Sequence, residues 1–244
     1  MAAKLVVGNW KMNGSVEKNR SLVSALLQDE ATAGAVVCPP CVYLSQVRDL
    51  IAGSRLRLGA QNVSRYGDGA YTGDVSAQML AEFGCRYVIV GHSERRALFG
   101  EFDADVAQKM VVAVAAGMTP IVCVGESLQQ RQQGDAVAVV LAQLQAAKEL
   151  AGVEVLQASV VAYEPVWAIG TGVAATLLDV AQMHGAIKTA LREWGAGDLS
   201  LLYGGSVKPE GASELMALPG VDGVLVGGAS LVAAQFVAIC RAAM

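Results

Sequence analysis

Short runs of apolar residues recur along the chain, and stretches with helical spacing separate them. Continuous apolar runs of three or four residues are typical of strands that are buried on both faces, and such strands form parallel sheets. The pattern therefore predicts eight parallel strands. The eight runs are Leu5–Val7, Ala35–Val37, Leu56–Leu58, Tyr87–Val90, Ile121–Val124, Val160–Ala162, Leu201–Tyr203 and Gly223–Val226.

The segments between the runs predict helices. Val106, Met110 and Val114 recur at helical spacing. Asp103 is expected to cap this helix at its N-terminus, and Gly117 is expected to end it.

The number of these units favours a closed barrel over an open, doubly wound sheet. Eight strand-then-helix units in 244 residues suit a (β/α)8 barrel, which typically needs about 250 residues. No Pro/Ser-rich linker or block of charge divides the chain, and no G-x-G-x-x-G of a dinucleotide fold follows the first run. We therefore expect an α/β protein with a single (β/α)8 barrel domain over residues 1–244.

Composition narrows the classes of partner. The chain is 54% hydrophobic and 16% charged with a net charge of −4, and it carries no basic arm, so we expect no nucleic acid partner. The uncharged run Gly223–Cys240 is interrupted by polar and glycine residues, so a strand and a helix explain it better than a membrane span. The N-terminus runs into a strand without the hydrophobic segment of a signal peptide. A cytoplasmic location with no membrane partner is the expectation.

The cysteines do not predict a disulfide framework or a metal site. The five cysteines are an odd number and are scattered along the chain. Cys38 and Cys41 have the spacing of a redox or half-zinc motif, but no second pair exists, and the two prolines between them are better explained as a strand exit. With only His92 and His184 available, a closed zinc site is not expected.

Polar residues gather at the ends of the predicted strands. Asn9 and Lys11 follow the first run, His92 follows the fourth and Glu164 follows the sixth. In a barrel of this kind the reacting groups lie at the carboxyl ends of the strands. Stability alone does not explain polar residues that are placed consistently at one end of apolar strands.

Glu164 begins a segment that suits a lid over a small ligand. Pro165 stiffens the strand exit, and an apolar loop then reaches the glycines of Gly170–Gly172. Such a loop could exclude water, and burial would raise the pKa of the carboxylate towards that of a useful base. The alternative is that Glu164 only caps or forms a salt bridge at a strand end.

Lys11 and His92 can each be interpreted as a structural residue or as a catalytic one. The charge of Lys11 needs an anionic partner, which is either the Glu94 carboxylate or a bound phosphate or oxyanion. Both partners are possible in turn if Glu94 holds Lys11 when no ligand is present. His92 precedes a predicted short helix that begins at Ser93. The helix dipole there disfavours imidazolium, so a neutral ring could donate an N–H to a carbonyl oxygen. The alternative is a hydrogen-bonded histidine without a role in catalysis.

Two glycine-rich turns suit an anion. Gly204–Ser206 and Gly227–Ser230 follow the seventh and eighth runs, where backbone N–H groups form the usual phosphate site of a barrel. Gly170 and Thr171 in the lid could add a donor. Glycines of this kind also turn chains without binding anything.

Five stretches together resemble the triosephosphate isomerase family, in its order and at its spacing over essentially the whole chain. They are Gly8–Asn13, Val90–Arg96, Ala162–Gly172, Tyr203–Ser206 and Leu225–Ser230.

The resemblance implies interconversion of dihydroxyacetone phosphate and glyceraldehyde 3-phosphate through an enediolate, a step of glycolysis and gluconeogenesis. It implies that Glu164 moves the proton, that a neutral His92 polarises the carbonyl, which is the established pattern of that family, and that Lys11 stabilises charge. No metal or organic cofactor is implied. The residues implied to hold substrate are Asn9, Lys11, Gly170, Ser206, Gly227 and Gly228, and Ser93 and Glu94 are implied to support them.

The resemblance also implies a homodimer. The segment 63–73 looks like the family's intersubunit loop, which would bring Thr72 near the partner's Lys11. An ordinary surface flap is the alternative. The chain departs from the family at Val173, where a lysine commonly follows the glycines of the lid, and this puts the closing rate of the lid in doubt.

Two rival functions remain open on the sequence. A Schiff-base aldolase on the same barrel needs a lysine in the barrel mouth, often on the sixth strand, where this chain has Glu164. A non-catalytic phosphosugar-binding protein would keep the glycine turns without a reason to keep Lys11, His92 and Glu164 together.

Overall fold

The computed structural model describes residues 4–169 and 175–244. Eight parallel strands close into a barrel in chain order, and helices connect them, so the predicted (β/α)8 fold is confirmed. The strands are β1 (Leu5–Asn9), β2 (Val36–Cys38), β3 (Arg57–Ala60), β4 (Tyr87–Val90), β5 (Thr119–Val124), β6 (Val160–Tyr163), β7 (Leu201–Tyr203) and β8 (Gly223–Val226).

Closure of the barrel joins the first strand to the last. Leu5 of β1 lies opposite Gly223 of β8, and three further residue pairs continue this register as far as Gly8 and Val226. A side chain at Gly223 would meet the Leu5 carbonyl oxygen at 1.9 Å, so only glycine permits this approach. The barrel therefore has no free edge to pair with another chain.

Helices of unequal length surround the barrel in the described part of the chain. They are α1 (Val16–Leu26), α2 (Leu44–Leu50), α3 (Ala77–Glu82), α4 (Ser93–Phe99), α5 (Asp103–Ala115), α6 (Leu128–Gln132), α7 (Ala136–Ala151), α8 (Val153–Gln157), α9 (Leu177–Glu193), α10 (Pro209–Ala217) and α11 (Ala233–Ala242).

The start of α5 corrects one expectation from the sequence. Asp103 is the first helical residue rather than the cap, which is Phe102. Asp105 accepts the Phe102 backbone N–H at 3.0 Å, but no side chain caps the first turn in the way that Asp103 was expected to. The end of the helix is as predicted, because Gly117 follows it with a positive φ of 78°.

Two apolar cores hold the fold together. The larger one lies between strands and helices and includes Met110, Leu144 and Ile187, which are fully buried. The smaller one fills the barrel interior. A packed interior makes the barrel a rigid support for the side chains at its rim rather than a pore. The interior residues are Val7, Val36, Cys38, Ile89, Ile121, Cys123, Val160, Ala162, Leu202 and Leu225.

The cysteines of the described residues are all free thiols. Cys38 ends β2 and is buried, so the two prolines that follow it leave a strand, as the sequence predicts. None of the helices in residues 4–169 and 175–244 is long and apolar enough to cross a membrane.

Candidate active site

The predicted site residues converge on one cavity at the carboxyl ends of the strands. Its volume is about 360 Å³. The sequence-predicted residues that line it are Asn9, Lys11, His92, Glu164, Ser206, Gly227 and Gly228. Ser93 and Glu94 do not line this cavity but contact residues that do. Gly170, Thr171 and Val173 lie outside the described residues.

Glu164 is held in a dry position at the end of β6. Its side chain is almost completely buried, and its Oε2 accepts the Ser93 backbone N–H at 2.8 Å. Its Oε1 lies 2.9 Å from His92 Nε2. A side chain at Gly125 would meet the Glu164 carbonyl oxygen at 1.8 Å, so the close approach of β5 to the start of the lid requires glycine. The carboxylate is therefore positioned by its backbone and by the hydrogen bond to Oε2, whereas Oε1 is buried without a hydrogen bond in the described chain.

His92 caps α4 through its ring. Its Nδ1 accepts the Glu94 backbone N–H at 3.2 Å, which requires a free lone pair on that nitrogen. Nε2 then carries the proton of the neutral ring and lies 2.9 Å from Glu164 Oε1, although the two atoms are not aligned for a hydrogen bond. The contact between His92 and Glu164 shows why the two belong to one site, since they come from different strands of the barrel.

The pKa of His92 differs in direction from the sequence-based expectation. Burial favours the neutral ring, but the Glu164 carboxylate and, less strongly, Glu94 favour imidazolium, so the pKa of His92 is raised above its ordinary value. Lys11 opposes this change. The helix dipole alone had predicted a low pKa, and the sequence did not reveal that a carboxylate lies against the ring.

Lys11 has a left-handed backbone, with φ of 50°. This conformation is unfavourable for a residue with a side chain and costs about 1–3 kcal/mol. Two side chains hold it: Asn9 Oδ1 accepts the Lys11 backbone N–H at 3.0 Å, and Gln61 Nε2 donates to the Lys11 carbonyl oxygen at 2.8 Å. Asn9 thus fixes the backbone of Lys11 as well as lining the cavity.

The ammonium group of Lys11 forms the predicted ion pair with Glu94. The Nζ–Oε1 distance is 2.5 Å, and the two side chains are 28% and 43% exposed. A pair this open to solvent contributes little to stability. A ligand anion can therefore replace Glu94 without a large cost in folding energy.

The two glycine turns face the same cavity from β7 and β8. A side chain at Gly204 would approach Glu164 Cγ to 3.0 Å, so this turn gives room to the carboxylate. Ser206 lines the cavity, whereas Ser230 is buried and donates to the Gly227 carbonyl oxygen at 2.6 Å. The second serine therefore fixes its own turn and leaves the backbone of Gly228 free to meet an anion.

Sequence reasoning missed a buried carboxylate beside the lid. Glu126 is completely buried, and its Oε1 accepts hydrogen bonds from Trp167 Nε1 at 2.8 Å and from the Tyr163 hydroxyl at 3.1 Å. Arg131 lies 3.4 Å from the same oxygen. Glu126 follows the fifth strand, so the rule that singled out Glu164 would have found it too.

Gln61 was also missed as a site residue. It directly follows β3 and donates to both the Lys11 and Cys38 carbonyl oxygens at 2.8 Å. Its partners are 50 and 23 residues away along the chain, so no local pattern points to them.

No three His, Cys, Asp or Glu side chains are grouped so that they could hold a metal ion in the residues that the structure describes.

Comparison with known proteins decides between the barrel families that share this geometry. A family model described as triosephosphate isomerase matches residues 4–243. The chain belongs to the triosephosphate isomerase family. The resemblance drawn from the five stretches is thereby confirmed.

Individual members of the triosephosphate isomerase family match the chain along its whole length. A protein named triosephosphate isomerase from Azoarcus sp. (strain BH72) is 57% identical over 248 residues and covers 100% of both chains. The protein of that name from Thiobacillus denitrificans is 55% identical and covers 100% of this chain and 99% of its own. The one from Nitrosococcus oceani is 51% identical with 100% of both chains covered.

Proposed function

We propose that the protein is a triosephosphate isomerase, which interconverts dihydroxyacetone phosphate and D-glyceraldehyde 3-phosphate in glycolysis and gluconeogenesis. Membership of the family supports this activity. The observation that carries it is the contact at 2.9 Å between Glu164 Oε1 and His92 Nε2 in a cavity that also holds Lys11. A base, a proton donor and a cation around one small cavity suit proton abstraction next to a carbonyl group.

Glu164 is the proposed base. It takes a proton from the carbon beside the carbonyl group of the bound triose phosphate, which leaves an enediolate, and it returns the proton to the neighbouring carbon. No net proton is gained or lost in the isomerisation. Because Oε1 faces His92 and Oε2 accepts from Ser93 in the free protein, the carboxylate must exchange at least one of these contacts when substrate enters.

His92 and Lys11 are proposed to act on the oxygens. When substrate is bound, its carbonyl oxygen would replace Glu164 as the neighbour of His92 Nε2 and would accept the proton of that nitrogen. The ring would then relay a proton between the two oxygens of the enediolate. Lys11 would leave Glu94 and stabilise the developing negative charge. These two groups meet the charge of the enediolate, so we propose that the enzyme needs no metal or organic cofactor.

The phosphate group is proposed to bind at the glycine turns. Gly227 and Gly228 of one turn and Ser206 of the other line the cavity together with Asn9 and Lys11. The Lys11 side chain lies next to Gly227, since a Cβ at that glycine would be 3.4 Å from Lys11 Cε. Gly170, which lies outside the described residues, is proposed from the sequence as a further contact.

Assay of both triose phosphates, in each direction and with a chelator present, tests this function. Equal conversion with and without chelator is expected. A borohydride-trapped lysine adduct would instead indicate the Schiff-base aldolase, and tight phosphate binding without turnover would indicate a binding protein.

We also propose a homodimer in which segment 63–73 contacts the partner. Val75 and Asp74 close the base of the segment on Ser64 by hydrogen bonds of 2.8 and 2.7 Å, and Tyr66 and Tyr71 stack within it at 4.2 Å. The tip is exposed although it carries these rings. Apolar surface of this kind is typical of a protein interface.

A second cavity beside the active site gives the segment a place to bind. Its volume is about 360 Å³, and Lys11, Met12, Glu94 and Phe99 line it. Met12 is 94% exposed and Phe99 is 68% exposed, so a partner that covers them removes apolar area from water. A two-fold pair would bring Thr72 of each copy towards Lys11 of the other.

Shortening the chain between residues 64 and 72 is the test of the dimer. The variant is expected to sediment as a folded monomer with much reduced turnover, while the intact chain sediments as a dimer. A fully active monomer of the intact chain would contradict the proposal.

Two further proposals concern the domain organisation and the cellular location of the enzyme. We propose that residues 1–244 form one domain, which a single cooperative unfolding transition would support. We also propose that the enzyme acts in the cytoplasm, which fractionation of cells that produce it can test.

A further inference from the structure

A large cavity lies at the opposite end of the barrel from the active site. Its volume is about 940 Å³, and it opens between α2, α3 and the amino ends of β3 and β4. Four arginines line it, and the only carboxylate among its lining residues is that of Glu82. We call it the arginine basin, and its arginines are Arg48, Arg55, Arg57 and Arg86.

Two of these arginines lie at the amino ends of neighbouring strands, where backbone hydrogen bonds hold them. Arg57 is the first residue of β3, and Arg86 directly precedes β4. The Arg86 backbone N–H donates to the Leu58 carbonyl oxygen at 2.8 Å, and the Thr119 backbone N–H donates to the Arg86 carbonyl oxygen at 2.9 Å. The two guanidinium groups therefore start from adjacent strands of a rigid barrel rather than from a loose loop.

The guanidinium groups of the basin are incompletely paired. Arg57 donates to the Tyr87 hydroxyl at 3.0 Å, which leaves its charge without a counter-ion in the described chain. Arg86 makes no ion pair or side-chain hydrogen bond with residues 4–169 or 175–244. The pair between Arg55 and Glu30 spans 3.8 Å, with both side chains largely exposed.

Arg48 is the best paired of the four. It contacts Asp49 at 2.8 Å and lies over the Phe83 ring at 5.2 Å from its centroid. Asp49 does not line the basin, so its carboxylate neutralises Arg48 from outside. The basin thus keeps a local excess of positive charge on a chain whose net charge is −4.

These features fit a small anion with several phosphate groups. A guanidinium group matches a phosphate oxygen pair with two parallel hydrogen bonds, and several such groups suit a ligand with several phosphates. The volume is at the upper end of that of small-molecule sites, which is more than one phosphate group needs. Its concave shape and the acidic remainder of the surface favour a small ligand over a nucleic acid strand.

We propose that the arginine basin is a binding site for a small polyphosphorylated metabolite, separate from the active site. Arg57 and Arg86 are its main contacts, because they lack carboxylate partners among the described residues and start from adjacent strands. The proposal does not depend on the reaction at the other end of the barrel.

Tripolyphosphate is the probe for this site, and backbone amide NMR shows where it binds. We expect its titration to shift the amide signals of Gly84, Arg86 and Gly117, which surround the basin. Binding in the active site would shift Ser206 and Gly227 instead, so the two events are distinguishable in one experiment. Binding at the basin should weaken as salt is added.

Two variants and a matched control test the named contacts. Arg57→Gln and Arg86→Gln should each weaken tripolyphosphate binding about tenfold, since each removes a charge-assisted hydrogen bond. Arg20→Gln removes an exposed arginine of α1 outside the basin and should leave the affinity unchanged. All three should keep kcat/KM on triose phosphate within about twofold, because surface substitutions have small effects.

Four outcomes would overturn the proposal. They are the absence of amide shifts around the basin, equal weakening by Arg20→Gln, binding of tripolyphosphate no tighter than that of inorganic phosphate, and affinity for a single-stranded oligonucleotide that grows with its length.

Discussion

The surroundings of the two histidines differ, and the difference separates the proposed catalytic role of His92 from the structural role of His184. Both rings are buried, with His92 6% exposed and His184 fully enclosed. Burial lowers the pKa of each, but a carboxylate lies against His92 and raises its pKa, whereas the pKa of His184 is lowered to about 4. The neighbour, rather than the burial, therefore decides which histidine can exchange a proton near neutral pH.

His184 is enclosed by groups that hold it neutral. Its Nδ1 lies 2.9 Å from the Gly220 carbonyl oxygen, to which it donates. The rings of Tyr163 and Tyr203 lie 5.9 and 6.5 Å away between centroids, and the other ring nitrogen is buried without a hydrogen bond in the described chain. The Gly220 carbonyl oxygen and the Asp222 carboxylate favour imidazolium, but burial outweighs them, so His184 stays neutral and packs α9 against the barrel.

The largest effect should follow from removal of the carboxylate at His92. Glu164→Gln keeps the shape of the side chain but removes the proton acceptor, so kcat should fall about 1,000-fold or more. Glu214→Gln, on the exposed face of α10, is the control and should leave kcat unchanged. Near-normal turnover of Glu164→Gln, measured with purified protein of unchanged Tm, would contradict the assignment of the base.

The pH dependence of unfolding should separate the two histidines by sign. The pKa of His184 in the folded state, about 4, is below its ordinary 6.5, so the unfolded chain takes up a proton that the folded chain refuses. This lowers the free energy of unfolding by about 1.4 kcal/mol per pH unit as pH falls from 6.5 to about 4. Urea unfolding of His184→Gln should lack this slope.

His92→Gln is the matched comparison for that measurement. Since the pKa of His92 is raised in the folded state, its stabilisation is full below the ordinary value of 6.5 and is lost as pH rises through the folded pKa. Replacing His92 should therefore change the slope of the unfolding free energy against pH above pH 6.5, and the sign of this change should be opposite to that in His184→Gln. Equal slopes in the two variants would mean that the surroundings of the rings do not differ as described.

A smaller effect is expected at Gln61, which holds the backbone of Lys11. Gln61→Met removes the donor to the Lys11 carbonyl oxygen, which should cost about 1–3 kcal/mol of unfolding free energy and lower kcat. Gln133→Met, at an exposed position after α6, is the control. If Gln61→Met retains full kcat and stability, the hydrogen bond does not position Lys11.

The smallest effect concerns the His92 ring itself. In Glu164→Gln the carboxylate that raises the pKa of His92 is gone, so its pKa should move down towards that of His184. NMR titration of the His92 ring in the parent and the variant measures this. An unchanged His92 pKa would show that Glu164 is not its cause.

Much of the fold could be read from the sequence because it depends on local patterns. All eight apolar runs became strands, and polar residues after them marked Lys11, His92 and Glu164 for the cavity. Some strand bounds moved, as at β1, which extends to Asn9 because register with β2 continues beyond the apolar run. Hydrophobicity does not report where backbone pairing ends.

What the sequence did not reveal depends on contacts between distant residues. The raised pKa of His92 comes from Glu164, 72 positions later, and Gln61 acts on Lys11 across 50 residues. The arginine basin likewise joins α2, β3 and the start of β4, and its residues show no common motif. Only the closure of the barrel brings these groups together.

The left-handed backbone of Lys11 creates a conflict between the stability of the protein and its function. Glycine adopts this conformation without strain, so a selection for heat resistance alone would favour replacing the lysine. The replacement would remove the cation from the cavity and leave Glu94 without its partner. Any thermostabilised descendant of this protein that still works must therefore gain its rigidity elsewhere and retain the strained lysine.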